Sequence, residues 1–426
     1  MYRGVMPTRT SLTPADLTSI LDSLAAPGEP PPLPRQPVHV VYGGGHLWKS
    51  DTARKLAGLA RKAAAEHLPD DRSFVEAFGL EPAIASEVRT RVVRKLDAEA
   101  VEDFRIDFED GYGSRPDAEE DEHATAAARA LAHGAREKTL PPFVGVRPKA
   151  LSPECARRSV RTLDLFLTAL AADGGVPPGF RVTLPKVQSP SEVAALVSVL
   201  ETLELRLGLP RIPIEIMVET PRALLGSDGR PTLPFLHLMG GDRLVAAHFG
   251  TYDYTAALGI AASHQHPSHP ACDFARHQMQ LTFAGTNVAL SDGATTTLPI
   301  GDAAEVRRAM SLHYANIRRS LELGFWQSWD LHPAQIPVRW VAVYAFFLEG
   351  LPAATTRLRN FVERAAQATR VGGAFDDAAT GQGLLNFFAR GVQCGALGEA
   401  DVKATGLTMA ELGAKSFSKI AAARAG

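Results

Sequence analysis

The sequence predicts an α/β fold of the (β/α)8 TIM-barrel class with a C-terminal helical extension. Three observations lead there. Eight short apolar runs alternate with amphipathic stretches at the spacing of a βα repeat. The polar residues gather at the C-terminal ends of those runs, the rim where parallel barrels carry their chemistry. Two of the segments, 214–220 (IEIMVET) and 248–254 (HFGTYDY), each run to a carboxylate near their end, Glu219 and Asp253. An open doubly wound sheet is the competing arrangement, but it needs a topological switch point that this order of elements does not show.

Taken in order, residues 1–36 form a lead-in. A helix start is read at Leu12-Thr13-Pro14-Ala15-Asp16, and the proline-rich stretch 27–37 reads as a linker. The barrel is expected over 37–350. Its strands fall at 38–42, 104–108, 143–147, 181–185, 212–218, 244–249, 286–290 and 325–331. Helices are expected at 51–67, 117–136, 152–171, 189–206, 270–284 and 302–323; Ser189, Pro190 and Glu192 supply a start signal for the fourth. A strongly apolar helix follows at 333–350. The segment 351–426 reads as further helices, broken at Gly372-Gly373 and frayed over 420–426.

Composition narrows the function class. The 426 residues are 45% hydrophobic and 22% charged with a formal net charge of -2, which suits a large globular domain. That balance gives no footing for nucleic acid or an anionic membrane surface as partner. Three separated cysteines, Cys155, Cys272 and Cys394, form no disulfide or zinc pattern. With no apolar leader and no uninterrupted membrane-length apolar run, a cytoplasmic protein is expected.

The strand tails carry the chemistry. They read Asp107-Phe108-Glu109-Asp110, Val146-Arg147-Pro148-Lys149, Leu184-Pro185-Lys186, Val218-Glu219-Thr220, Gly250-Thr251-Tyr252-Asp253 and Asp330-Leu331-His332-Pro333. One such tail is ordinary rim solvation; six in order are not. Two hard oxygen ligands from neighbouring strands, completed by water and substrate, is a common way to hold Mg2+.

In order and content these tails resemble the superfamily of malate synthase, malyl-CoA lyase and the citrate lyase β subunit, the HpcH/HpaI aldolase–citrate lyase group. Segments 289–300 (ALSDGATTTLPI) and 375–380 (FDDAAT) are most similar to malate synthase, and the resemblance spans roughly residues 100–385. It implies a carbon–carbon lyase or synthase that joins or splits a glyoxylate-like 2-oxo acid and an acyl-CoA through an enolate. It implies Glu219 and Asp253 as ligands to Mg2+, or Mn2+ in its place. Arg147 would hold the 2-oxo acid or the developing oxyanion. Glu109 and Asp110 would orient metal-bound water and Arg147, and Asp377 would take a proton from the thioester methyl group. Gly250, Thr251, Tyr252, Lys186 and His46 complete the expected substrate contacts. A homo-oligomer is left open.

Plainer readings stand beside these. Glu219 and Asp253 also suit a rim pair matched by Lys or Arg, and Arg147 suits a salt bridge to Glu109 or Asp110. Lys186 reads equally as a buttress for the second-strand carboxylates. Asp376 and Asp377 both suit a helix N-cap. The turn Gly43-Gly44-Gly45-His46 can cradle an anion or simply turn tightly, and it departs from the family pattern. The run 263–270 (SHQHPSHP) has no metal-ligand spacing and reads as a loop, and His332 as a turn residue. Only Arg157, Arg158 and Arg161 offer themselves to coenzyme A phosphates. Two readings therefore remain as alternatives: an aldolase that needs no coenzyme A, and a non-catalytic binding or regulatory barrel.

Overall fold

Eight parallel strands close on themselves in chain order: β1 (His39–Gly44), β2 (Asp103–Asp107), β3 (Phe143–Arg147), β4 (Phe180–Leu184), β5 (Ile214–Val218), β6 (Leu244–Phe249), β7 (Ala289–Ala294) and β8 (Gln327–Asp330). Pairing of His39 with Ser328 shuts the barrel between β1 and β8. The computed structural model describes residues 13–23, 35–371, 378–413, 416, 417, 419, 420 and 424. The chain falls into two units, Met1–Pro31 and Pro32–Gly426. The first holds the helix Pro14–Ser23, opened where expected: Thr13 N donates to Asp16 Oδ2 at 2.9 Å and Asp16 N to Thr13 Oγ1 at 3.1 Å.

All eight expected strands form. The seventh lies later than its predicted 286–290 because Thr286 closes a turn first. Its hydroxyl donates to Phe283 O at 2.8 Å and accepts from Val288 N at 3.1 Å, leaving Ser291, Asp292 and Gly293 to the strand. Between β1 and β2 the structure adds two helices that the strand pattern did not assign, Asp71–Phe78 and Pro82–Glu99. The first opens on an Asp70–Ser73 capping box and stops at Gly79, whose φ of 67° is the left-handed C-terminal stop. Phe74, Phe78, Val88, Val92 and Leu96 bury their shared face.

The apolar segment after β8 is one helix of 37 residues, Gln335–Val371, so it runs on through position 350 with Pro352 inside it. The residues 351–426 belong to the same unit as the barrel. Gln335–Glu363 is long and apolar enough on composition to cross a membrane, but 67% of its most apolar window is buried in the protein. It packs between the helices Pro82–Glu99 and Ala303–Glu322 as a core helix. The expected break at Gly372-Gly373 lies outside the described residues.

Inside the barrel the strands carry charge. Arg105 of β2 donates to Thr183 of β4 at 2.9 Å and to Glu215 of β5 at 2.7 Å; such bonds between non-adjacent strands can only cross the interior. Asp103 pairs with the same guanidinium, and Arg181 reaches Glu215 at 2.8 Å. Burial alone would raise the Glu215 carboxyl, but Arg105, His248 and Arg181 hold it well below the ordinary range. A fully matched network of this kind fixes the relative placement of the strands. Asp330, expected among the rim carboxylates, is a correction of the same sort. It is buried between barrel and helices, where His39 Nδ1 at 2.6 Å, His313 Nε2 at 2.9 Å and Arg339 Nη2 at 2.7 Å surround it.

Candidate active site

At the C-terminal rim, β5 ends at Val218 and Glu219 follows directly. Thr220 then caps the short helix Pro221–Leu224 by accepting from Ala223 N at 3.1 Å, so the chain turns away and leaves Glu219 over the barrel mouth. Strand β6 ends at Phe249, and Gly250 leads into the helix Thr251–Ala257. Asp253 therefore lies in the first turn of a helix, not on the strand tail expected of it. The helix start brings it back over the rim, close enough to Glu219 for its charge to raise that carboxyl. Gly250 makes this possible: a Cβ there would stand 2.3 Å from Glu219 Cβ and 2.5 Å from its Oε2.

Lys186 joins the group from the end of β4. Its φ of 51° is unusual for a side-chain-bearing residue and costs on the order of 1 kcal/mol or more. That backbone aims its N–H at Glu219 Oε1, 2.7 Å away. The ammonium meanwhile bonds Glu109, lies 2.7 Å from Asp110 Oδ1 and 3.9 Å from Asp253 Oδ2. One residue thus reaches four of the carboxylates that the sequence singled out, Glu109, Asp110, Glu219 and Asp253. Arg147 closes the floor. Its Nε and Nη2 take both oxygens of Asp107 at 2.7 and 2.6 Å, leaving Nη1 turned to Glu109 Oε2 at 3.4 Å and Met217 Sδ at 3.4 Å. The ring of Tyr42 packs 4.7 Å from the guanidinium and Trp329 lies behind at 5.9 Å.

Depth sorts these groups. The Arg147 and Glu219 side chains are buried, whereas those of Asp110 and Asp253 are 54% and 44% exposed. The site has a dry floor and an open roof. Burial pushes the Glu219 carboxyl up to about 8; Arg147 opposes the rise, and Asp253 and Glu109 add to it by like-charge repulsion. Burial also raises Asp253 and Glu109, against the pull of Lys186 on the first and of Arg147 on the second. Burial works against the Lys186 ammonium, but Asp110 and Glu109 overcome it and keep the ammonium more firmly charged than usual. Such a cluster of reluctant carboxylates around a cation is a functional-site signature.

The remaining sequence-predicted contacts divide. Thr251 is buried beside Gly293, with its hydroxyl unpartnered. Tyr252 is committed elsewhere: its hydroxyl donates to Ala294 O at 3.2 Å and accepts from Thr296 Oγ1 at 2.9 Å. His46 stacks near Tyr112 and His123, with ring centroids 5.5 and 6.0 Å away, and has no bond to the carboxylate cluster. The glycines before it serve packing, since Cβ atoms at 44 and 45 would strike Gly111 O and the Phe108 ring at 2.5 Å. Arg158 and Arg161 grip Asp121 on the neighbouring helix and are not free for a phosphate. His332 accepts from Ala334 N as a turn residue, and His269 caps the helix Pro270–Phe283. Asp376 and Asp377 lie outside the described residues. The expected Arg147–Glu109 pair is present, but sequence reading assigned no role to Asp107, the closer partner of Arg147; it was legible as the inward member of the tail that also holds Glu109.

A model for a domain of unknown function, DUF6986, matches residues 22–420. The chain belongs to the DUF6986 family. No curated protein matches this DUF6986 chain in sequence. Among solved structures, a citrate lyase from Burkholderia xenovorans LB400 is 20% identical, covers 90% of this chain and 99% of its own, and gives a TM-score of 0.58. A Haloferax volcanii malate synthase in a lead(II) complex is 15% identical over 71% of this chain and 72% of its own, with a TM-score of 0.49. The protein CitE from Mycobacterium tuberculosis, in complex with magnesium and acetate, is 18% identical over 71% and 89%, with a TM-score of 0.39. The citrate lyase likeness establishes a common fold.

Lys186 gives this site a direct test. Lys186→Met in the DUF6986 chain removes the cation between Glu109 and Asp110 and should cost about 1–3 kcal/mol of stability in chelator, read by urea denaturation. A change below a few tenths of a kcal/mol would show that the ammonium is idle there.

Proposed function

We propose that this DUF6986 chain makes or breaks a carbon–carbon bond beside the carbonyl of a small 2-oxo acid such as glyoxylate, with an acyl-CoA as the carbon partner and a divalent cation as cofactor. The observation that carries the reading is the meeting of Glu219, Asp253, Lys186 and Arg147 at one point of the rim. The donor set fits a hard cation: all oxygen, two carboxylates close enough to repel one another, and open to solvent on one side. Among the described residues no three acidic, His or Cys side chains enclose a metal by themselves. Glu219 and Asp253 would therefore hold Mg2+ or Mn2+ with water and a substrate oxygen completing its shell. Bound there, the cation supplies Lewis-acid polarisation of the 2-oxo carbonyl.

The chain's own residues do the rest. Arg147 Nη1 is the guanidinium edge left over by Asp107, and it fixes the substrate carboxylate or the oxygen that gains charge. Asp107 keeps that guanidinium from rotating. Glu109 and Asp110 orient water, held in turn by Lys186. Asp377, on the segment before the helix Ala378–Gln393, is proposed as the base that takes the methyl proton of the thioester and leaves an enolate to attack the carbonyl. One observation favours an aldolase without coenzyme A: Arg158 and Arg161 are spent on Asp121.

Calorimetry with glyoxylate and with oxalate, in Mg2+ and in chelator, tests the core of the reading; binding that ignores the metal would overturn it. Acetyl-CoA should raise the melting temperature by mass action if it is the partner, and no shift would favour the free-acid aldolase. Asp377→Asn should leave oxalate binding intact while turnover falls by roughly 10²–10⁴-fold. Loss of oxalate binding instead would mark Asp377 as structural.

A further inference from the structure

The opposite mouth of the barrel carries a feature the rim chemistry does not use. Between the starts of β4, β5, β6 and β7 lies a cavity of about 650 Å³. That is within the range of roughly 300–1,000 Å³ typical of small-molecule sites. Phe180, Phe283 and Trp326 give it an apolar wall, and four arginines face it: Arg35, Arg181, Arg211 and Arg390. No carboxylate lines it among the described residues.

Two of those arginines are already matched. Arg35 pairs with Glu99 and Glu102, and Arg181 with Glu215. The other two have no ion pair among the described residues. Arg211 is exposed at the lip. Arg390, brought in by the helix Ala378–Gln393, makes one weak bond, from Nη1 to Gln393 Oε1 at 3.2 Å. Burial pushes its guanidinium down to about 10, a cost that a nearby anion would remove. A second orphan lies one residue beyond the cavity wall in the chain. Gln327 follows Trp326 and shares the inward face of β8 with Trp329, yet its buried amide N and O have no partner.

We infer that this basal cavity is a second binding site, for an amphipathic organic anion with a carboxylate-sized head and an apolar ring body. The head would meet Arg390 and Arg211, whose planar forks suit a carboxylate. The ring would lie against Phe283 and Trp326. The site is independent of the rim chemistry, being at the other end of every strand. In barrels of this class that end ordinarily serves stability, so an apolar-walled cavity there, faced by a half-buried guanidinium with no ion pair among the described residues, calls for a ligand.

The test uses the full chain with 4-phenylbutyrate, its neutral amide and inorganic phosphate as probes, followed by calorimetry and tryptophan fluorescence. Phenylbutyrate should bind saturably, with a fluorescence change that Trp326→Phe removes. Arg390→Gln should weaken it by roughly 10-fold and the exposed Arg211→Gln by about 3-fold, as expected for losing a charged hydrogen bond. The amide should bind far more weakly, and saturating oxalate with Mg2+ should not compete. No saturable binding, equal binding of the amide, unchanged binding in both variants, or competition by oxalate would each overturn the site. Phosphate binding as tightly as phenylbutyrate would overturn the amphipathic assignment. Should Arg390→Gln fail to fold, Arg211→Gln and Trp326→Phe still decide the matter.

Discussion

Glu219→Gln is expected to abolish cation-dependent ligand binding while making the metal-free protein more stable above neutral pH. The Glu219 carboxyl is buried, and that burial lifts it from an ordinary 4.5 to about 8, with Asp253 and Glu109 adding to the rise. Between those values the folded chain keeps a proton that the unfolded chain has released. Stability present at low pH is therefore lost as pH rises through that window, by at most about 1.4 kcal/mol per pH unit for one such group. Gln has no proton to lose, so the slope should flatten; Asp253 and Glu109, also raised, keep part of it. Mg2+ should stabilise the wild-type chain increasingly with pH, because its binding must expel the proton held by Glu219. Thermal denaturation from pH 5 to 8.5 in chelator and in Mg2+ reads both effects. Parallel pH slopes for wild type and Glu219→Gln, or an undiminished Mg2+ shift in the variant, would sink the assignment.

Glu219 was legible in the sequence and Asp253 only partly so, for a physical reason. A strand tail fixes the residue that follows it, so Val218-Glu219 places a carboxylate on the rim once the strand is recognised. Asp253 stands beyond a glycine whose conformation the sequence does not announce, and its position depends on a helix starting at Thr251. The eight strands were readable because parallel strands are short, apolar and regularly spaced. The helices Asp71–Phe78 and Pro82–Glu99 were not assigned because nothing in the βα rhythm asks for them. The charged interior also escaped: Arg105, Glu215 and Asp103 occupy positions that pattern reading fills with apolar side chains, and only the closed barrel shows that they meet. The same holds for Lys186, whose left-handed backbone turns a buttress into a residue that reaches Glu109, Asp110, Glu219 and Asp253.

The pair that sequence reading half found makes the other large prediction. Arg147→Met is expected to cost about 3–5 kcal/mol, because it leaves the Asp107 carboxylate buried without its partner. Removing the charge from both sides should recover much of this, so Arg147→Met with Asp107→Asn ought to be clearly more stable than Arg147→Met alone. Two further single variants, Asp107→Asn and Arg147→Lys, differ in what they do to the site. Asp107→Asn keeps the guanidinium but frees it to rotate, so it should raise KM for a 2-oxo acid more than it lowers the melting temperature. Arg147→Lys keeps a positive charge, yet one ammonium cannot hold both Asp107 oxygens and still face Glu109. Its fold should survive while 2-oxo acid binding falls by roughly 10²-fold, a loss of about 2.7 kcal/mol. Denaturation curves for the four variants and the wild type, with oxalate titrations in Mg2+, give the stability and binding cycles together. If Arg147→Lys binds oxalate like the wild type, Arg147 is only a strut for Asp107, and the anion must be held by Lys186 instead.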